Sequence, residues 1–300
     1  SGSLGAAPTN AASAMDNVWS AWGAQMNGQL VPQFDGISRA YEYYDNKASF
    51  YETGTTFSNT VSFSTAGDNG NTRFSLTNLD NDDISPNSTL DRNSIGINTS
   101  QNVGKNIRID ANLKYLLEDQ SGNPRLSDGP GNANWIINHT SPSVDVNWGK
   151  GPNGDGRNDD LSEFQMTPSI YIQNPWFAQN YYVNDSEKER FIGSINMRWD
   201  LTDWLYARAR VGADRYDLHR TQSEPYGTGY KPKGGINHYK LAFKQFDSDF
   251  FLGTDNLSLT DDVALTAFVG VGSNVQEAES VSINGNDFIV PGLVSINNVA

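Results

Sequence analysis

The sequence predicts an all-β fold: an antiparallel up-and-down transmembrane β-barrel segment of about eight strands, with short periplasmic turns and long extracellular loops. Three observations lead there. Several stretches alternate strictly between apolar and polar side chains over lengths that exceed the ~5–6 residues of a soluble strand and match the ~9–11 of a tilted spanning strand. The connections between them are alternately short and long, as in outer-membrane barrels. The chain is only 37% hydrophobic yet 11% aromatic, too rich in rings for disorder and lacking any apolar run long enough for a spanning helix.

Each strand is legible in turn. The first, about 55–66, sets Phe57, Val61 and Phe63 against Ser58, Thr60, Ser62 and Ser64. A GDNGN turn follows, with the Asn-Gly chemistry of a tight hairpin. The second, about 72–79, has Phe74 and Leu76 against Arg73, Ser75 and Thr77; the third, about 91–102, has Ile95 and Ile97 against Ser94, Asn98 and Ser100. The fourth, about 106–118, is the clearest. Ile107, Ile109, Ala111, Leu113, Tyr115 and Leu117 take one face, and Arg108, Asp110, Asn112 and Lys114 the other. The fifth and sixth lie in FIGSINMRWDLTDWLYARARVGADR, 191–215. There Ile195, Met197, Leu205 and Val211 oppose Asn196, Arg198, Arg208, Arg210 and Asp214. The seventh, about 238–256, slips phase near Lys244–Gln245, which predicts a β-bulge. The eighth, about 262–274, sets Val263, Leu265, Val269 and Val271 against Thr266, Phe268 and Gly270.

Short turns fall at 67–71, 102–106, 200–204 and 257–262, and long connections at 80–90, 119–187, 218–237 and from 275 onward. Trp199, Trp204 and Tyr206 sit beside a short turn, where rings with a polar tip suit a membrane interface. An antiparallel sheet in water also alternates, so a secreted β-sandwich or binding module is the alternative class. The N-terminal SGSLGAAPTNAAS has neither the basic start nor the apolar core of a signal peptide.

Composition excludes other functions. A net charge of −14 repels nucleic acid. The absence of cysteine removes disulfides, thiol catalysis and cysteine-bound zinc. His139, His219 and His238 have no metalloprotease spacing, and no catalytic constellation is present, so no enzyme is expected. Calcium is the one cofactor the pattern suggests: Asp155, Asn158, Asp159, Asp160 and Glu163 are close-spaced oxygen donors among glycines, Asp155, Asp159 and Asp160 foremost, though not at EF-hand spacing. For ligand contact the 119–187 loop carries Trp135, Trp148, Trp176, Phe177 and Tyr181, whose ring faces could stack on sugars or peptide side chains.

A set of motifs adds to this reading. SAWGAQMNGQ (20–29), the run from FYETGTTFSNTVSF to DISPNSTLDRNSIGIN (50–98), NPWF (174–177), LTDWLYARARVGADRYD (201–217) and VPGLVSINN (290–298) occur in order along the chain. Together they resemble the SusC/RagA family of TonB-dependent outer-membrane transporters. The resemblance implies that residues 1–300 are an internal part of the receptor barrel domain, with the plug, the TonB box and the closing strands lying elsewhere. It implies outer-membrane lipid, a SusD-like lipoprotein and TonB as partners, and oligosaccharides or peptides as cargo. The apolar faces would then meet lipid. Arg108, Asp110, Arg198, Arg208, Arg210 and Asp214 would line the lumen and hold the plug, the arginines taking carboxylate partners from the plug first and from Asp110 and Asp214 within the chain.

Overall fold

The computed structural model describes residues 6–19 and 23–300; residues 20–22 of the first motif and 1–5 of the N-terminus lie outside the described residues. The chain opens with helix α1 (Ala11–Asn17), a small ribbon of β1 (Leu30–Pro32) and β2 (Ser38–Ala40), and helix α2 (Asn46–Phe50). Eight long strands then follow: β3 (Thr55–Gly67), β4 (Gly70–Asp82), β5 (Thr89–Val103), β6 (Ile107–Ser121), β7 (Val183–Asp200), β8 (Leu205–Glu224), β9 (Gly235–Thr260) and β10 (Val263–Asn286). Each pairs antiparallel with its neighbours in sequence, giving one eight-stranded up-and-down sheet.

The connections divide by end. Residues 68–69, 104–106, 201–204 and 261–262 close one end with tight turns, while 83–88, 122–182 and 225–234 span the other. The strands run further toward the loop end than alternation in the sequence indicates. β9 reaches 26 residues and β10 reaches 24, more than twice the ~9–11 a spanning strand needs.

Residues directly opposite in an antiparallel ladder share a face, so the register tests the two-faced reading. Ile109 faces Met197, Ile195 faces Val211, Ala207 faces Leu252, and Leu252 faces Val269. Ile107, Leu113, Leu205 and Leu265 fall on the same side by parity, the last across a bulge. Asp110, Asn196, Arg210 and Asp249 form a row on the opposite side. The apolar face is exposed throughout: Phe57, Val61, Phe63, Ile195, Trp199, Val211, Phe250 and Val269 have no core to enter.

Two expectations are corrected. No bulge exists at Lys244–Gln245, where pairing runs unbroken to both β8 and β10. The register shifts lie nearer the tight turn, at Val263/Ala264 and Leu265/Ala267, with Asn256 of β9 at a φ of 49°. What changes at Lys244 is the environment. Above this level the formerly apolar face carries Arg215, Lys244 and Glu277 side by side, followed by Glu189, Asp217 and Glu279. The opposite face gains Leu116, Tyr216, Phe243, Leu218 and Leu241, set among the charges of Glu118, Lys188 and Arg190. Tyr206 keeps the polar face that alternation gives it, so it is not a ring of the lipid interface. It lies on the polar face beneath the Arg198 guanidinium, 4.1 Å from its ring centre, whereas Trp199 stays on the apolar side.

The buried core is elsewhere. Helices α3 (Ala133–His139) and α4 (Pro175–Tyr181), a 3-10 turn at Val146–Lys150 and helix α2 pack together beyond the strand ends. Phe50, Ile136, Ile137, Val146, Trp176 and Phe177 are the centre of this cap.

Candidate functional site

Two surfaces can do chemistry: the polar face of the sheet and the cap at its loop end. On the polar face the arginines are largely neutralised from within the sheet. Arg210 is paired with Asp249, and Arg198 with Asp200 at 2.8 Å and with Asp255. Arg108 pairs with Asp110 at 3.2 Å. Asp214 does not serve Arg208 or Arg210; it accepts two hydrogen bonds from Arg190. Arg208 donates to the neutral Asn196 at 2.7 Å and has no carboxylate partner among the described residues. The six residues named from the sequence thus share one face, but the pairing draws on Asp249, Asp255 and Arg190, which sequence spacing does not single out. Register alone brings them adjacent.

The cap is built around the NPWF motif. Asn174 caps α4, its Oδ1 accepting from the Trp176 N–H at 2.9 Å. Its Nδ2 donates to the carbonyls of Gly149 and Phe164. Pro175 occupies the first turn, where a missing N–H costs nothing. The Trp176 indole donates to the Val146 carbonyl at 2.9 Å. At Gly156 the backbone has φ +88° and lies against the Phe177 backbone, leaving no room for a Cβ. Gln179 reaches the Pro86 carbonyl at 2.6 Å, and Asn87 donates to Asn180 at 2.7 Å, so the ISPNS loop is docked onto the same helix.

This places the loop aromatics. Phe177 is 0% exposed and Trp176 9%; both rings are inside the cap core. Trp135, Trp148 and Tyr181 are half-buried and engaged with neighbours. Trp135 packs on Trp19 and His139, Trp148 lies under Arg39, and the Tyr181 hydroxyl donates to Asp155. Burial, helped by that acidic acceptor, pushes the Tyr181 hydroxyl up to about 12. The five rings do not form a common ligand surface.

Nor do Asp155, Asp159 and Asp160 converge. Asp155 Oδ1 accepts from the Arg157 N–H at 3.1 Å, and Asp160 is occupied by Ser162. Among the described residues no group of three His, Asp or Glu side chains could hold a metal ion.

A residue named from the sequence only as a calcium donor joins the two largest loops. Glu163 is buried; its Oε1 accepts from the Asn174 N–H at 2.6 Å, and its own N–H donates to the Gly227 carbonyl at 3.1 Å. Burial raises its pKa from 4.5 to about 7, against the backbone N–H donors of Asn174 and Gly229. In the folded state the carboxyl thus holds a proton that the unfolded chain has already released. Cap stability should fall as pH rises from about 4.5 to about 7 and level off above that. Glu163→Gln should flatten this dependence. Hydrogen exchange of 156–175 and 225–234 at pH 5 and pH 8 checks it; equal protection at both pH values in the unmodified protein would refute it. Glu224 is the opposite case. Burial opposes its ionisation, but Arg125 and Lys231 outweigh that and hold it below the usual range.

No family model and no curated protein matches the chain. Solved structures do. It is similar to a chain in the structure of the RagAB peptide transporter, at 16% identity and a TM-score of 0.64, over 86% of this chain and 28% of that one. The RagAB peptide importer in its open-open state gives 15% and 0.63 over 85% and 28%, and in its closed-closed state 15% and 0.61 over 87% and 29%. The chain spans less than a third of the length of these structures. At this identity the likeness establishes the fold: a segment of a large antiparallel, up-and-down transmembrane β-barrel.

Proposed function

We propose that the protein is part of an outer-membrane nutrient importer of the SusC/RagA type, taking up peptides or oligosaccharides with energy delivered through TonB. The observation that supports this most is the sheet's two exposed faces. An apolar face without any core suits lipid, and a polar face rich in paired charges suits a wet lumen. The outward apolar run on β7 extends from Phe191 to Trp199. At ~3.3 Å per residue and a tilt of ~35–45° this gives a belt on the order of 20–25 Å tall, the height of a barrel's hydrocarbon zone. The charged rows above it then meet headgroups and water. In this reading the cap faces outward, where a SusD-like lipoprotein would receive cargo, and Arg208, bonded only to the neutral Asn196, is one lumenal charge free to contact a plug.

The test is uptake. Cells carrying the intact gene should accumulate labelled peptide or oligosaccharide pools, and both a protonophore and loss of TonB should abolish accumulation. A chain that is secreted, labels with no lipid-phase probe and leaves uptake unchanged when deleted would instead be a β-rich binding module.

A further inference from the structure

We infer that three loop-end segments, 157–163, 225–234 and 287–299, form one cooperative lid, fastened by Leu161 in a strained left-handed backbone conformation. The inference goes beyond the importer reading and does not depend on it.

Leu161 is the wrong residue for its turn. Arg157 and Glu163 pair as the stem of a small hairpin. The Asn158 N–H donates to the Ser162 carbonyl at 2.8 Å, and the Leu161 N–H to the Asn158 carbonyl at 3.0 Å. A three-residue hairpin loop of this kind ends on a left-handed residue, where glycine is the usual choice. Here that residue is leucine, at a φ of 68°. The other described non-glycine residues with positive φ are Asn87, Ser127, Asn256 and Asp287; Leu161 alone among them carries a branched apolar side chain. Such a residue disfavours the left-handed region by a factor of about 5–30. It stays there only where its surroundings impose it.

Two other segments impose it. In the β8–β9 connection Gly227, at φ +88°, lies so close to the Leu161 carbonyl that a Cβ would collide with it. The Gly227 carbonyl accepts from the Glu163 N–H at 3.1 Å. Beside it Thr228 is 0% exposed, and Tyr230 stacks on Tyr171 at 5.9 Å. After β10, Gly292, at φ +77°, meets the leucine side chain, which lies 3.5 Å from where a Cβ would stand. That segment is shaped by the buried Asn298, whose amide donates to the carbonyls of Val290 and Leu293 at 2.8 and 2.7 Å. The two segments also meet at Phe288, which is buried against Gly234 and donates its N–H to the Lys233 carbonyl at 2.9 Å.

The result is a two-state joint. Closed, Gly227 and Gly292 hold Leu161 in the left-handed region. When either segment leaves, Leu161 relaxes, its carbonyl and side chain turn away, and the remaining segment loses its seat. The three segments therefore open together, and a ligand that grips one favours closure of the others. Leu161, Gly227 and Gly292 lie outside the helical core of the cap, so the lid opens while that core stays folded.

Hydrogen exchange of the intact protein in lipid nanodiscs tests this, read in peptides covering 156–163, 225–231 and 289–294. Leu161→Asn separates strain from packing, because asparagine accepts the left-handed region but gives up the leucine's contact with Gly292. It should slow exchange in 156–163 by about fivefold or more, the relieved strain, and speed it in 289–294. A leucine that only packs would give faster exchange in both. Gly227→Ala, with a Cβ the joint cannot hold, should speed exchange at least about fivefold in all three segments and leave 133–140 protected. Faster exchange of 156–163 in Leu161→Asn would overturn the joint, as would an effect of Gly227→Ala confined to 225–231. Loss of protection at 133–140 in Gly227→Ala would also overturn it, since the lid would then be inseparable from the cap core.

Discussion

Arginine at Val211 or Ile109 is expected to destabilise the barrel by ~2–4 kcal/mol, the cost of a cation at the hydrocarbon midplane of an outer-membrane barrel. Both side chains lie on the face without a core, in the middle rows of the apolar belt, level with Ile195 and Met197 respectively. Arginine at Asn112 is the control. It sits on the polar face, where its amide donates to Asn98, so the change forfeits one exposed hydrogen bond worth ~1 kcal/mol or less. Urea titration of the protein refolded into lipid vesicles measures the difference. Equal costs at both sites would mean that the apolar face does not meet lipid, and a soluble sheet packed against another layer would then be the better description.

Phe177→Ala is expected to cost ~3–5 kcal/mol, as large-to-small changes in a tight core do. The ring is 0% exposed and packs on Tyr181 and Tyr182. The loss should be local. The cap has a core of its own and the strands are held by their ladder, so protease sensitivity should appear in 122–182 while the strands stay protected. Phe57→Ala removes the same side chain from an exposed position on β3; it leaves no cavity and should not alter cap protection. A protease pattern identical in the two variants would show that the cap is not an independent unit. In the importer reading, the Phe177 variant should also lose uptake while remaining inserted in the membrane.

All eight strands and the assignment of their faces were legible from alternation, because a two-sided sheet imposes a period of two that leaves little latitude. The strand ends were not. Residues 218–224, 235–237 and 275–286 continue the ladder, but charge enters the formerly apolar face near Lys244. A pattern reader takes that change for a break or a bulge. Physically the ladder is intact and the solvent has changed.

The candidate site shows the same division. Aromatic richness in 119–187 was visible, yet its purpose was not, since a ring that binds and a ring that packs have the same composition. Trp176 and Phe177 turned out to be committed to the cap by Asn174, whose side chain caps their helix and also holds the carbonyls of Gly149 and Phe164, 25 and 10 residues away.

By itself the sequence determined the class of fold, the eight strands of the main sheet, their order and which side chains share a face, but not the small β1–β2 ribbon. These follow from local alternation and turn chemistry, which act over a few residues. Only the tertiary structure decided which charges pair and that Glu163 is buried between two loops. Those outcomes depend on register and on loops meeting across long separations in the chain, and a guanidinium's partner is set by the neighbouring strand rather than by its own.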